Sequence, residues 1–227
     1  MPLPFITLRD LLRHAVTRFN SEGLFFGHGS DNAFDEAAYL LLHTLKLPLD
    51  KLDPFLDARL TPQEIEYLLN LIERRAKDHV LVAYLTHEAL LGDYRFYVDE
   101  RVIVPRSFIA ELIPELFQPW VADPDTVTHV LELCTGSGCL AIMLADAFPN
   151  AQIDAVDLAT DAVDVAKKNV ADYELQDRIS LHHSDLYDKL PKKKYDLIVT
   201  NPPYVNSASM ARLFAQVPTT SVRMIAN

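Results

Sequence analysis

The chain has 227 residues, 49% of them hydrophobic and 23% charged, which is typical of a globular protein with room for two domains. Its formal net charge of −11 argues against a surface that wraps duplex nucleic acid and suits an encounter with a basic partner. Two cysteines are too few for a disulfide framework, and the spacing of Asp, Glu, His and Cys predicts no metal site. There is no basic signal-peptide start and no apolar run of the ~20 residues that span a bilayer. We therefore expect a soluble, cytoplasmic protein without a membrane partner.

Three helical patterns fill the first third of the chain. After Thr7, which can act as an N-cap, apolar residues recur at helical spacing, namely Leu8, Leu11, Leu12, Ala15, Val16 and Phe19. A second pattern covers residues 37–45, and a third begins at residues 61–64, Thr-Pro-Gln-Glu. There the threonine can cap, the proline suits the first helical position, and the glutamate can close a capping box. We predict a helical domain over residues 1–78.

A β-hairpin linker is predicted over residues 79–106. Its first arm contains the β-type residues Val82, Tyr84 and Leu85. Its second arm is residues 94–98, which follow the turn signal Gly92-Asp93. Residues 107–120 then show a helical pattern that a proline interrupts. The linker is expected to join the helical domain to a second domain.

From residue 127 onward, short strands alternate with helices. The predicted strands are residues 130–133, 153–157, 179–181 and 196–200, and the predicted helices are residues 140–148 and 162–173. This alternation predicts a parallel α/β sheet with right-handed crossovers. Residues 207–227 do not continue the pattern, so the fourth strand would be left at an uncovered edge. We therefore expect a partial domain over residues 107–206, incomplete at the C-terminus, and an atypical tail in a chain that is cut short or altered there.

A glycine-containing turn follows the first strand of this sheet. Gly136 and Gly138 allow the backbone to approach a ligand closely, although glycine turns between a strand and a helix are common. Cys134 stands where many such loops carry their first glycine. Cys134 and Cys139 are better explained as small apolar residues than as nucleophiles.

Three acidic residues lie in or directly after predicted strands. Glu132 can bind an ammonium group of a cofactor, or it can be a buried acid satisfied by backbone amides. Asp157 can accept hydrogen bonds from two ribose hydroxyls, or cap the next helix, for which Thr160 is the better candidate. Asp185 and its neighbour Leu186 lie where a nucleobase would bind in such a sheet, although a serine followed by an aspartate also suits a simple turn.

The most specific signal is Asn201-Pro202-Pro203-Tyr204, which directly follows the fourth strand. Two prolines lack N–H groups and hold their φ angles, so the carbonyls beside the asparagine amide are rigidly aimed. This arrangement suits the binding of a planar, weakly nucleophilic NH₂ group, and the alternative is a proline-rich exit from a strand. Ligands of open α/β sheets bind at the carboxyl ends of strands beside a topological switch point. With the glycine turn, the segment predicts transfer of a group from a nucleotide-like cofactor to an amide or amino nitrogen.

These segments resemble the HemK-type glutamine methyltransferases, which have the class I fold and use S-adenosylmethionine. The resemblance lies in residues 96–106, 131–139, 155–157, 184–186 and 196–205, and it extends over roughly residues 7–206. Residues 27–32 and 35–37, together with Cys134, look like the branch that methylates ribosomal protein three of the large subunit. The branch that acts on peptide release factors lacks the Gly-His-Gly segment at residues 27–29. Residues 207–227 do not match the acidic loop and three further strands with which the family continues.

The resemblance implies a Rossmann-like, S-adenosylmethionine-dependent methyltransferase. It would modify the side-chain amide nitrogen of a glutamine in that ribosomal protein as the ribosome assembles. The cofactor-binding residues it implies are Glu132, Thr135, Gly136, Gly138, Asp157, Asp185, Leu186 and Asn201. The catalytic residues would be Asn201, Pro202 and Tyr204, since the Asn201 side-chain oxygen and the Pro202 carbonyl would bind the amide NH₂ and Tyr204 would pack beside it. Pro203 would complete the substrate-binding segment. The helical domain would select the protein partner.

Three other interpretations remain open. The chain can be a glutamine methyltransferase that acts on release factors. It can be a nucleic-acid adenine methyltransferase, although base extrusion normally calls for basic grooves and the net charge is −11. It can also be an inactive truncated copy that only binds its partner. Calorimetry with the cofactor separates the last interpretation from the enzymes.

Overall fold

The computed structural model describes residues 5–27, 29–190 and 192–202. These residues form two compact units, one that extends to His87 and one that begins at Glu88. Four features predicted from the sequence lie outside the described residues: His28 of the Gly-His-Gly segment, Pro203, Tyr204, and the tail at residues 207–227. Within the described part of the chain, no helix is long and apolar enough to cross a membrane.

The first unit is helical, as the sequence predicts. Its helices are α1 (Leu8–Ser21), α2 (Ala33–Thr44), α3 (Pro62–Lys77) and α4 (Val82–Thr86). The predicted caps of α1 and α3 are confirmed, because Thr7 and Thr61 each form a reciprocal capping box with the acid three residues later. The inward faces of these helices share one apolar core that includes Phe19, Leu40 and Leu68.

The second unit begins with a short antiparallel hairpin, β1 (Ala89–Leu91) and β2 (Tyr94–Phe96). The predicted turn at Gly92 is confirmed, and its φ of +59° suits glycine. The prediction that Val82, Tyr84 and Leu85 form the first arm is wrong, because these residues lie in α4. Val82 and Leu85 pack into the core of the helical unit, so tertiary burial outweighs their β propensity.

The predicted helix at residues 107–120 is largely absent within the described residues. Only α5 (Ile109–Leu112) is helical, and turns occupy most of the rest. The helix ends two residues before Pro114, because a proline cannot donate the next helical hydrogen bond and its ring crowds the preceding turn.

A parallel α/β sheet forms the rest of the second unit, which confirms the predicted fold class. Its elements are β3 (His129–Leu133), α6 (Cys139–Ala147), β4 (Gln152–Asp157), α7 (Thr160–Asp172), β5 (Ile179–His183) and β6 (Leu197–Thr200). The four strands are ordered β5-β4-β3-β6. Among the described residues, β6 pairs only with β3 and is therefore an edge strand.

The strand order places a topological switch point beside β3. The chain runs outward from β3 through β4 to β5, and then returns to the other side of β3 as β6. In the parallel register Leu133 lies opposite both Val156 and Thr200, so the loops that follow β3, β4 and β6 leave the sheet at the same edge. The crevice between the ends of β3 and β6 is the place where such sheets bind ligands.

A buried ion pair links α2 to α3 in the helical unit. Arg75 donates from Nε to Glu36 Oε1 at 2.6 Å, and from Nη2 to the carbonyl oxygen of Phe25 at 3.0 Å. The Arg75 and Glu36 side chains are only 3% and 6% exposed. Burial raises the pKa of Glu36, and the hydrogen bond from Arg75 opposes that shift. Through Arg75, the pair also anchors the loop between α1 and α2 at Phe25.

Replacing Glu36 by glutamine leaves the guanidinium of Arg75 buried without its counter-charge. We expect Glu36→Gln to lower the free energy of unfolding of the helical unit by about 3–5 kcal/mol, the cost of breaking a buried pair. Urea denaturation followed by far-UV circular dichroism measures this loss. The matched control is Glu66→Gln, at an exposed position of α3, which should change stability by less than about 0.5 kcal/mol. Equal losses in the two variants would show that the buried pair contributes nothing specific.

Candidate active site

One backbone hydrogen bond holds the turn after β3 to the end of β4, and a second closes the turn itself. Thr135 N–H donates to the carbonyl oxygen of Val156 at 2.9 Å, and Gly138 N–H donates back to the carbonyl oxygen of Thr135 at 2.9 Å. Three residues of the turn have left-handed backbones: Cys134 at φ +60°, Gly136 at +56° and Gly138 at +81°. A cysteine in this conformation is strained, and such strain in a loop at the edge of a sheet is typical of functional sites.

The two glycines of the turn have different surroundings. A Cβ built on Gly138 would lie 3.2 Å from the Ala166 Cβ and 3.3 Å from the Ala166 Cα, so this glycine permits α6 to start close against α7. Around a Cβ built on Gly136, the described part of the chain places no atom within 4 Å. The sequence predicted one role for both residues. The structure gives Gly138 a packing contact, and the residues that it describes leave open space over Gly136.

The carboxylate of Asp157 holds the turn from the end of β4. Its Oδ2 accepts the Gly136 N–H at 2.8 Å, and its Oδ1 accepts the Ala159 N–H at 2.9 Å. The prediction that Thr160 caps α7 is wrong, because the N-cap is Ala159 and Thr160 is already the first helical residue. The helix therefore begins one residue earlier than the sequence suggested, and the Asp157 carboxylate binds the N–H of the N-cap residue.

Glu132 lies beneath the turn and is 1% exposed. Thr135 Oγ1 donates to Glu132 Oε2 at 2.5 Å, and the nearby backbone amide of Ala141 lowers the pKa of this carboxylate, against the larger effect of burial. Within the described residues, no side chain caps α6 from its N-cap position at Gly138. Glu132 therefore places a carboxylate near the first turn of α6. Burial raises the pKa of Glu132 to about 7, because little around the carboxylate compensates for its lost hydration.

Neither cysteine near the turn is a thiolate at neutral pH. Burial, followed by the charge of Asp157, raises the pKa of the half-buried Cys134 thiol. Burial raises the pKa of Cys139 to about 12. Nucleophilic catalysis by cysteine requires the opposite shift, so these thiols do not define a covalent mechanism.

The loop after β5 returns to the same edge of the sheet. Ser184 is buried, and its N–H donates to the carbonyl oxygen of Asp157 at 3.0 Å. The next two residues, Asp185 and Leu186, are exposed. Leu186 has a φ of +43°, which is strained for a leucine, and its side chain is 49% exposed. The loop thus presents a carboxylate and an apolar side chain side by side.

Asn201 and Pro202 lie directly after β6, across the switch point from the glycine turn. Asn201 is half-buried and Pro202 is exposed. The Asn201 Nδ2 donates to the carbonyl oxygen of Arg106 at 3.4 Å, which turns the NH₂ end of the carboxamide toward the linker. Pro203 and Tyr204 of the same motif lie outside the described residues. The described members of the predicted site therefore share one edge of the sheet.

Sequence reasoning missed one buried polar residue that touches this site. Asn169 on α7 is 1% exposed and hydrogen-bonds to Ser137 in the glycine turn. The available signal was an asparagine among the inward-facing apolar positions of the predicted helix, between Ala166 and Val170. A buried amide at such a position needs hydrogen-bond partners, so the pattern indicates that this asparagine binds another segment of the chain.

The sheet order, the glycine turn at the switch point and the acid at the end of β4 define a class I, S-adenosylmethionine-dependent methyltransferase. The family described as "Methyltransferase small domain" matches residues 115–221. Among solved structures, a putative S-adenosylmethionine-dependent methyltransferase from Methanococcus maripaludis is 25% identical, with a TM-score of 0.35 over 45% of this chain and 47% of its own.

Curated relatives define the family more narrowly. A protein of Burkholderia pseudomallei is 62% identical over 222 residues, which cover 95% of this chain and 72% of the relative. Relatives from Neisseria meningitidis and Bordetella pertussis are each 59% identical over 207 residues, covering 91% of this chain and 68% and 70% of the relatives. All three are named ribosomal protein uL3 glutamine methyltransferase. The chain belongs to this family.

The raised pKa of Glu132 makes stability depend on pH. The carboxyl ionises near 4.5 in the unfolded state and at about 7 in the folded state. The unfolded state therefore loses its proton first, and Glu132 lowers the free energy of unfolding as the pH rises between these values. Glu132→Gln lacks this loss, so its stability relative to the unaltered protein should rise by roughly 1–3 kcal/mol between about pH 5 and about pH 8.

Urea denaturation at the two pH values measures this difference. Glu111→Gln makes the same change at an exposed position of α5 and should show no such pH dependence. A constant difference between Glu132→Gln and the unaltered protein would mean that the carboxyl is ionised throughout.

Proposed function

We propose that this chain transfers a methyl group from S-adenosylmethionine to the side-chain amide nitrogen of a glutamine in ribosomal protein uL3, in the cytoplasm and during ribosome assembly. The observation that carries the proposal is the pairing of β3 with β6, which sets Asn201 and Pro202 beside the glycine turn. The names of relatives at 59% and 62% identity supply the substrate.

The carboxyl edge of the sheet fits a nucleoside cofactor. The open space over Gly136 admits a ligand close to the backbone. Asp157 already accepts two backbone N–H groups, and a carboxylate has about four acceptor positions, so it can also receive ribose hydroxyls. Asp185, exposed after β5, would accept a hydrogen bond from an adenine amino group, and Leu186 would pack on the ring. When bound, S-adenosylmethionine supplies an electrophilic methyl group on a sulfonium.

The buried groups under the turn support this site from below. Thr135 is 3% exposed and Glu132 is 1% exposed, so their contribution is to place the turn and to provide negative charge near the ammonium end of the cofactor. Gly138 contributes by letting α6 begin close to α7. We assign direct contact with the cofactor to the backbone at Gly136 and to the side chains of Asp157, Asp185 and Leu186.

Asn201 and Pro202 would bind the acceptor glutamine. An amide nitrogen is a poor nucleophile because its lone pair is delocalised. The Asn201 Oδ1 and the Pro202 carbonyl oxygen accept hydrogen bonds from the substrate NH₂, which aligns the nitrogen and stabilises the positive charge that develops on it. The hydrogen bond from Asn201 Nδ2 to Arg106 orients this carboxamide. Pro203 stiffens the segment, Tyr204 packs beside the substrate, and the proton leaves after transfer.

The other interpretations have weaker support. The relatives named for uL3 match 91–95% of the chain, and none of those three carries a release-factor name. The net charge of −11 argues against a groove for nucleic acid. A copy that only binds its partner would not bind the cofactor, so the two experiments below distinguish it from the enzyme.

Asp157→Ala tests the cofactor site. Loss of the carboxylate leaves the ribose hydroxyls poorly paired, so we expect affinity for S-adenosylmethionine to fall by about 1–3 kcal/mol, or roughly five- to 150-fold. Isothermal titration calorimetry measures the affinity. Asp161→Ala removes the same charge from an exposed position in the first turn of α7 and should bind within about twofold of the unaltered chain. Unchanged affinity in Asp157→Ala would refute its assignment to the cofactor.

Asn201→Ala tests the acceptor site. Its amide would face the substrate nitrogen rather than the nucleoside, so turnover should fall by at least ~10²-fold while cofactor affinity stays within a few-fold. The measurement is transfer of labelled methyl from S-adenosylmethionine to purified uL3, with calorimetry alongside. Asn150→Ala, at an exposed position after α6, serves as the control and should transfer at the unaltered rate. Full activity in Asn201→Ala would show that the motif does not bind the acceptor amide and is only a proline-rich exit from β6.

A further inference from the structure

Asn169 is a polar side chain on an apolar helix face. It lies on α7 and is 1% exposed, and the other buried residues of that helix are Ala162, Val163, Val165, Ala166 and Val170. An amide buried in such surroundings is costly unless its hydrogen bonds are made. The three bonds it makes therefore indicate why the position is not aliphatic.

These bonds join two segments that are distant in sequence. The Asn169 Nδ2 donates to the carbonyl oxygen of Ser137 at 2.8 Å and to that of Tyr97 at 2.9 Å. Its Oδ1 accepts the Tyr97 N–H at 2.7 Å. A carboxamide offers two donor hydrogens together with an acceptor oxygen, and here it pairs with Tyr97 as a backbone peptide group would. Tyr97 follows β2 in the linker, whereas Ser137 lies between the two glycines of the turn.

The contact completes the support of the glycine turn. Asp157 binds the Gly136 N–H at 2.8 Å, and Ala166 packs against Gly138. Asn169 lies one helical turn after Ala166 on the same face of α7 and binds the residue between the two glycines. Each residue of the Gly136–Gly138 segment is thus fixed by a different side chain. Of these three side chains, Asn169 is the one that also binds the linker, at Tyr97.

We propose that Asn169 is a positioning residue for the cofactor, which sets the glycine turn and couples it to the linker at Tyr97. The inference rests on the proposed function, because it takes the turn to be the cofactor site. Asn169 does not touch the ligand. It determines where the Ser137 peptide unit points, and therefore the shape of the surface over Gly136 that the ligand meets.

Asn169→Asp is the most specific variant. It keeps the acceptor for the Tyr97 N–H and nearly the same volume, but it places a carboxylate oxygen against two carbonyl oxygens, those of Ser137 and Tyr97. We expect its affinity for S-adenosylmethionine, measured by calorimetry on the full chain, to be weaker by about tenfold or more. The control is Val170→Ala, which truncates the neighbouring buried residue of α7 and does not alter the turn contact.

Val170→Ala should lower the melting temperature yet bind within about twofold of the unaltered chain. If Asn169→Asp binds like the unaltered chain, or if both variants weaken binding equally, the inference is overturned. Absence of binding by the unaltered chain would overturn the proposed function and this inference together. Binding that is retained in Asn169→Asp overturns the inference alone.

A second measurement needs no variant. Since Asn169 holds the Tyr97 N–H and the turn together, saturation with S-adenosylmethionine should slow amide hydrogen exchange at Tyr97 by several-fold. The Arg95 amide, which donates to the Tyr173 hydroxyl at 3.0 Å, is the internal control and should change less. Equal exchange at Tyr97 with and without the cofactor would show that the turn and the linker are not coupled.

Discussion

The parallel pairing of β3 with neighbours on both sides is the constraint on which the candidate site depends. Parallel strands bring their carboxyl ends to one edge, and Leu133 lies level with Val156 and Thr200 in the register. The chain places β4 on one side of β3 and β6 on the other, so the loops after β3 and β6 diverge and leave a crevice. If another strand lay between β3 and β6, the glycine turn and Asn201 would be separated by the width of that strand.

Within that crevice, conformation is imposed on the loops by groups from other elements. Cys134 and Leu186 adopt left-handed φ angles of +60° and +43°, which neither residue type favours. Backbone hydrogen bonds to the end of β4 compensate for this strain. The Thr135 N–H donates to the Val156 carbonyl, and the Ser184 N–H donates to the Asp157 carbonyl. The strain therefore sits in the two loops that flank the proposed cofactor, where a fixed surface reduces the ordering cost of binding.

Two buried glutamates show how the partner decides what a buried acid does. Glu36 faces the guanidinium of Arg75, so its charge is matched and it serves as an anchor between helices. Glu132 instead accepts a hydrogen bond from a threonine hydroxyl, and burial brings its pKa to about 7. An ammonium group brought near by a ligand would favour the ionised form of Glu132. In the sequence, one of these glutamates lies in a helical pattern and the other in a strand pattern, and neither pattern reveals its role. The role of each follows from the groups that surround it in the folded chain.

Features that depend on local chemistry could be predicted from the order of residues alone: the caps at Thr7 and Thr61, the alternation of strands and helices, and the position of the Asn201 motif directly after a strand. Features that depend on distant partners become visible only in the folded chain. Residues 82–86 form a helix because they pack on the helical core, against their β propensity. Asn169 lies 72 residues from Tyr97 and 32 from Ser137, and a local pattern carries no information on partners at such separations.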